Sequence, residues 1–383
     1  MTEEAPQAVR LAEEEHLYRS ATNDSLIQVD LVAPAVEGYF RIPAIWIGSQ
    51  PDDSQIGRLN PAVHHQVVLK KQLASGIEAW VLRCGMFLFD FAKYPLAPQV
   101  VIPGFRKPNA NGPYRWPAAT GEAERIAEDH AILRAQIMNV HQACFTTAES
   151  QVKRRSAMMG FPITSWSTHK ALTLNTAPAY HDDVENLHAL GMNVLNNKYG
   201  VEKPRGRRVI ELEVIEKSLV LLDQILLKKS AEHIQLVEAA YMSACRSGER
   251  RFGEALVLAW GVCEQLISKS WNEHIAAREK QDPTYMPKDR KKKLIGRDYT
   301  ASVMVENLEL TGRIDHELYR RLEVARKARN KWAHEMRAPK DREVGITIMA
   351  MQEMLTRDIG FRLELQAGGR GGVPQWPAWM TKR

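Results

Sequence analysis

Residues 318–335 read LYRRLEVARKARNKWAHE and bring together three side chains that could do chemistry: Arg329, Asn330 and His334. The task they suit is cutting RNA without a metal. RNA carries its own nucleophile, the ribose 2′-hydroxyl. A protein need only deprotonate it, steady the charge that builds on phosphorus and protonate the leaving oxygen. Histidine titrates near neutrality and serves as acid or base. Arginine, permanently charged and fork-shaped, suits the phosphate. An asparagine four residues from the histidine can orient its ring or donate to the phosphate. One histidine per chain is thin for two proton transfers. Two chains pairing their motif helices would bring two histidines into one cleft. The bland competitor is a helix end whose cations complement the macrodipole.

The elements that must position these groups are helical. At about 100° per residue, Leu322, Ala325, Trp332 and Met336 fall within roughly 80° and form a core face. Arg326, Asn330 and His334, four apart, line a neighbouring stripe and look outward. Arg329 points about 100° from Asn330, within the apolar arc, so partial burial is expected. A buried guanidinium needs a carboxylate. Residues 255–267 are apolar on nearly every side, with Glu264 in their middle, and Glu264 is the expected partner of Arg329 or of another arginine of the motif helix. Asp315 should cap the motif helix, which runs to about Met336 before Pro339 stops it. Asp341 should cap a further helix over 344–361. Earlier helices are expected over 209–229, 230–245 (capped by Ser230), 252–277 and 302–310, with a charged loop after 277.

Arg329-Asn330, three residues, then His334 resembles the signature of the HEPN superfamily of ribonucleases. The surroundings resemble it too, because an apolar helix with an internal glutamate (ALVLAWGVCEQLI) precedes the helix that ends in the motif. The pattern is most similar to the ApeA-like group, associated with anti-phage defence and abortive infection. The resemblance covers about residues 209–361. It implies an all-α bundle, a homodimer with a composite site, and a metal-independent endoribonuclease leaving a 2′,3′-cyclic phosphate. Arg329 and His334 would be catalytic, with Asn330 supporting them. Arg326 lies outside the core motif and takes, with Glu264, a supporting place. Lys331, Arg337, Lys291, Lys292 and Lys293 are the candidate RNA contacts. The alternative is a non-catalytic HEPN-like dimerisation or nucleic-acid-binding module. A regulatory partner or a phage trigger would fit the defence role.

The remainder of the chain reads less sharply. Residues 1–24 are polar and acidic and suggest a flexible arm. Residues 25–203 suggest a sensing or regulatory domain. Ile27, Val29 and Leu31 alternate as in a strand. Residues 39–47 suggest a second extended run, with Pro43 favouring an edge. A long helical pattern covers 61–94, a Pro/Gly/Asn-rich linker 95–117, and a helix capped by Thr120 reaches Lys153. Residues 160–180 read as irregular, and Asp182 as the cap of a helix ending near Gly200. Residues 362–383 read as a flexible tail, with Trp376 and Trp379 available for stacking. The expected class is mostly α: a C-terminal HEPN-like helical bundle and an N-terminal mainly helical α+β domain.

Composition sets outer bounds. There are 52 Lys and Arg against 46 Asp and Glu, a net charge of +6, which permits an anionic partner. The basic runs at Lys153 to Arg155, Arg205 to Arg208 and Lys288 to Lys293 count only as support. The acidic N-terminus does not resemble a secretory signal. The apolar stretch 80–91 contains Arg83 and Asp90, is too short to span a bilayer and reads as a buried helix. Cys84, Cys144, Cys245 and Cys263 are far apart without zinc-ligand spacing, as in reduced thiols of a cytoplasmic protein. His181-Asp182-Asp183 lacks the partners of a metal-dependent phosphohydrolase. His64, His65 and His141 are lone imidazoles. No phosphate-binding glycine loop follows a strand. Neither metal nor cofactor is expected.

Overall fold

The computed structural model describes residues 27–32, 36–41, 45–51, 66–107, 122–153, 163, 207–228, 230–282, 284, 286–296 and 299–365. The expectations for the N-terminal arm, Pro43, His64, His65, Thr120, residues 164–206 and the tail tryptophans lie outside them. The described residues are mostly helical. Contacts divide the chain into two compact units, one of residues 1–148 and 160–234, the other of Glu149–Met159 and Gln235–Arg383.

The first unit holds strands β1 (Ile27–Val32), β2 (Val36–Phe40), β3 (Ile45–Ile47), β4 (Val67–Gln72), β5 (Glu78–Leu82), β6 (Met86–Asp90), β7 (Val101–Lys107) and β8 (Arg208–Ile210). It also holds most of helix α1 (Glu122–Lys153) and all of α2 (Leu212–Leu226). The strands form an antiparallel β1-β7 pair, an antiparallel sheet in the order β2-β6-β5-β4, and a parallel β3-β8 pair.

The helix expected over 61–94 is therefore corrected to three strands. Gly76 (φ 103°) and Gly85 (φ 87°) turn the chain between them, in a conformation that costs glycine little. Gly85 also lies where an added Cβ would come 2.7 Å from Ile45 Cγ1. Strands β5 and β6 are buried nearly throughout, so they show no two-residue alternation and mimic a core helix. The expected linker over 95–117 contains β7.

The unit's core gathers Val36, Trp46, Trp80, Leu82, Cys84, Met86 and Leu88. Beside it, Tyr39 stacks on Phe87 at 5.2 Å between centroids, and His141 meets Phe87 edge-on. Arg134 and Glu37 form a buried ion pair at 3.1 Å. Arg134 also donates to the carbonyls of Ala97 and Pro98. Burial pushes the Glu37 carboxyl up to about 7 despite the guanidinium beside it.

The boundary expected between 203 and 209 is also corrected. Helix α2 belongs to the first unit. Its Asp223 carboxylate accepts the amides of Ala74 and Ser75 at 2.9 Å, and its Ser218 hydroxyl meets His141 Nε2 at 3.0 Å. Residues 209 and 210, expected as the start of a helix, lie instead in β8, which pairs with β3.

The second unit is helical among its described residues. It comprises α3 (Ala231–Gly248, all but its first turn), α4 (Phe252–Gln281), α5 (Lys288–Leu294), α6 (Ala301–Leu310), α7 (His316–Glu335) and α8 (Asp341–Ile359). Helices α4, α7 and α8 pack on one another, and α6 packs on α4 and α7. Their shared core includes Trp260, Leu266, Leu318, Leu322, Ile348 and Met351. Burying each such side chain contributes roughly 1.5–3 kcal/mol. The charged loop after 277 contains α5. The cap expected at Asp341 falls on Lys340, whose amide donates to Glu343 at 2.8 Å, three residues into the helix.

Candidate functional site

Helix α7 starts as its sequence dictates. The Asp315 carboxylate accepts the Leu318 amide at 2.8 Å and satisfies one orphan donor of the first turn. The helix ends at Met336, which takes a left-handed conformation (φ 51°, ψ 24°) while its amide donates to the Lys331 carbonyl. Methionine there costs of order 1 kcal/mol relative to glycine. Arg329, Asn330 and His334 occupy the last two turns before this reversal.

The core face of α7 is shifted from the expected one. Leu318, Leu322, Ala325 and Ala328 are buried, whereas Trp332 is half-buried and Met336 is 72% exposed. The cause is the end of the bundle. Trp332 lies against the first turn of α4, where a Cβ on Gly253 would come 2.6 Å from its Cζ2. Met336 lies beyond that contact.

Arg329 is half-buried, as expected, and its Nη1 donates to Asn330 Oδ1 at 3.2 Å. Asn330 is half-buried too, not outward-looking, while His334 is exposed. The expected pairing of Arg329 with Glu264 is wrong, because Glu264 is exposed. Glu264 lies seven residues after Val257, which is 50% exposed, and two turns of helix return it to the same open stripe. Among the described residues Arg329 makes no ion pair. A half-buried guanidinium keeps part of its hydration and does not require one.

The neighbouring cations are largely engaged. Arg326 donates twice to Glu323, at 2.8 and 2.9 Å, and holds that carboxyl below the usual range. Lys327 reaches the same carboxylate at 3.3 Å. Arg337 pairs with Glu343. Partial burial pushes the Glu343 carboxyl up, but the Lys340 amide and Arg337 together pull it below its ordinary value. Lys331 is exposed.

The remaining RNA-contact candidates lie elsewhere. Lys291 pairs with Glu279 at 2.6 Å, and Lys292 and Lys293 are exposed on α5. Helix α5 is tied to Trp271, whose Nε1 donates to the Leu294 carbonyl at 2.8 Å. Trp271 is 18 positions along α4 from Gly253, a rise of roughly 27 Å. The lysine run and the motif therefore occupy opposite ends of α4.

The sequence signal missed three supports of the site: the Glu323 clamp on Arg326, the Gly253 seat for Trp332 and the left-handed Met336. The i, i+3 spacing of Glu323 and Arg326 was the one visible clue.

A serine and a histidine also meet in the first unit, but not as a nucleophile and base. His141 Nδ1 accepts from the Tyr39 hydroxyl at 2.8 Å and its Nε2–H donates to Ser218 Oγ, because Ser218 itself donates to the Ile215 carbonyl. All three side chains are buried, and burial with Arg41 nearby pulls the imidazole down to about 3. The lone imidazole is a hydrogen-bonded core residue.

Among the described residues, no three His, Cys, Asp or Glu side chains gather as metal ligands would, and no helix is long and apolar enough to cross a membrane. Comparison with protein-family models, with curated proteins and with solved structures finds no match.

Proposed function

We propose that this protein is a metal-independent endoribonuclease of HEPN type, acting on RNA as a homodimer, with anti-phage defence or abortive infection as its setting. One observation carries the reading. Arg329, Asn330 and His334 sit together on the last two turns of one helix, with Arg329 bonded to Asn330 and His334 open to solvent. In this reading His334 moves a proton at the ribose 2′-oxygen or the leaving 5′-oxygen. Arg329 carries the phosphate charge, and Asn330 holds the guanidinium in place. The helix C-terminus presents carbonyls, which repel an anion. Phosphate binding therefore depends on side chains, with Lys331 adding charge. A second chain would supply the second histidine. The first unit would sense a trigger or restrain the nuclease.

The test is cleavage of single-stranded RNA in EDTA by wild type, Arg329→Ala and His334→Ala. Each substitution should lower the rate by about 10²–10⁴. The wild-type products should carry 2′,3′-cyclic phosphate. Equal rates in all three proteins would remove this site from consideration. A second reading, a non-catalytic dimerisation or nucleic-acid-binding module, is favoured by the pairing of Arg326 and Arg337 with Glu323 and Glu343. It predicts an intact dimer without cleavage in any condition.

A further inference from the structure

Around its motif the second unit pairs part of its positive charge, although Lys331 is exposed there. Near the motif, Arg326 and Arg337 are paired with glutamates of α7 and α8. At the start of α4, where Trp332 rests, Arg246 pairs with Glu249 and Arg251 with Glu254. At the other end of α4 a second basic stretch leaves more of its cations open. Residues 278–293 contain seven Lys and Arg and three Asp and Glu, so this short stretch carries +4 of the chain's +6. Lys288, Lys292 and Lys293 are exposed and make no ion pair among the described residues.

This is not a loose charged loop. No residue of α5 is buried, yet the helix is held in place. Trp271 grips its last carbonyl and stacks on Tyr299 at 5.0 Å between centroids with 12° between the planes. Gly296 closes the helix where a Cβ would lie 2.8 Å from the Lys292 carbonyl. Lys291 is spent on Glu279, which braces α5 against α4. The fold thus fixes a helix whose exposed groups are mainly cationic and which adds nothing to the core. Several exposed ammonium groups carried on a backbone held in place suit a phosphate chain, since neutralising each phosphate releases a counterion.

We infer that the outer face of α5, with Arg278 and Lys280 at the end of α4, is a docking surface for single-stranded RNA, separate from the Arg329–His334 motif. It rests on the reading of RNA as substrate. Measured along α4 from Gly253, the surface begins roughly 27 Å away at Trp271 and extends to about 40 Å at Lys280, a span of about eight to twelve nucleotides of stacked strand at 3.4 Å each. RNA shorter than this engages one surface only. Longer RNA engages both, so the surface makes the protein select RNA by length.

The experiment is fluorescence anisotropy with labelled single-stranded RNAs of about 24 and about 6 nucleotides over a salt series, using the full chain. The variant Lys288→Glu/Lys292→Glu/Lys293→Glu spares Lys291 and its brace. Wild type should bind the long RNA at least about tenfold more tightly than the short one. In the variant that advantage should vanish, and the slope of log affinity against log salt should fall by about 2, at roughly 0.7 per lost phosphate contact. Equal affinity of wild type for both lengths would overturn the inference. So would a variant that binds the long RNA as wild type does. Phosphatidylserine vesicles bound as tightly as RNA, and lost in the same variant, would reassign the surface to membranes. Cleavage is read separately. If wild type binds long RNA through α5 but never cuts it, the nuclease reading fails and the docking surface stands.

Discussion

Arg134 in the first unit and Arg329 in the second show how burial decides what a charge is for. Arg134 is buried against Glu37, and two backbone carbonyls take further N–H groups. Arg329 is half-buried and holds one neutral amide oxygen. The histidines repeat the contrast, His141 sealed between Tyr39 and Ser218, His334 open. A charge taken out of water must be fully paired, and the pairing then commits it to architecture. A charge left at a helix end keeps its hydrogen-bonding capacity for a ligand.

The comparison breaks most visibly if the buried pair is cut. Glu37→Ala strands the Arg134 guanidinium and should destabilise the first unit by about 3–5 kcal/mol, measured by urea unfolding. A loss below about 1 kcal/mol would mean that the two carbonyls suffice for Arg134.

Acid tests the histidine half. His141 has its imidazole lowered from 6.5 to about 3 in the fold, so the unfolded chain takes up the proton first. Its contribution is present above pH 6.5 and is lost as pH falls towards 3. The stability advantage of wild type over His141→Gln should shrink by up to about 1.4 kcal/mol per pH unit below 6.5. Glu37 works in the opposite sense. Its raised value favours the fold at low pH, and that contribution is lost as pH rises through about 7. The wild-type curve alone will therefore look flat between about pH 4.5 and 6.5. A constant difference between wild type and variant would show that His141 accepts a proton while folded.

At the motif end the effects on stability should be small. Met336→Gly relieves a left-handed methionine and should raise the unfolding free energy by about 1 kcal/mol, read from a shifted thermal midpoint. Arg329→Ala should change stability by less than about 0.5 kcal/mol while, on the proposed nuclease reading, it lowers the cleavage rate by about 10²–10⁴. If Arg329→Ala unfolds the protein instead, the residue is architectural and the contrast with Arg134 disappears.

Helix α7 was legible because its ends carry unambiguous chemistry. Asp315 caps α7 as read, and Pro339 follows its end. What escaped the sequence was burial on elements without periodicity. The segment around Trp80 and Phe87 is apolar on both faces, so its glycine turns at Gly76 and Gly85 were the sole sign of strands. Glu264 failed for the converse reason. Apolar residues surround it in sequence, but one of them, Val257, is exposed on the same stripe. The motif itself was visible as spacing. Which of its neighbouring cations remain open depends on Glu323 and Glu343, and packing sets that.

The grip of Asp223 on Ala74 and Ser75 joins residues about 150 positions apart, and β8 lies beside β3 across a similar gap. During synthesis the β4–β5 turn must wait for α2, and β3 must wait for β8. The N-terminal half emerges from the ribosome with its β4–β5 turn unsupported, and slow translation between residues 107 and 207 would lengthen that exposure. A fragment cut at residue 203 would keep this unfinished state permanently. Helices α4, α6, α7 and α8 of the second unit, by contrast, follow one another closely along the chain.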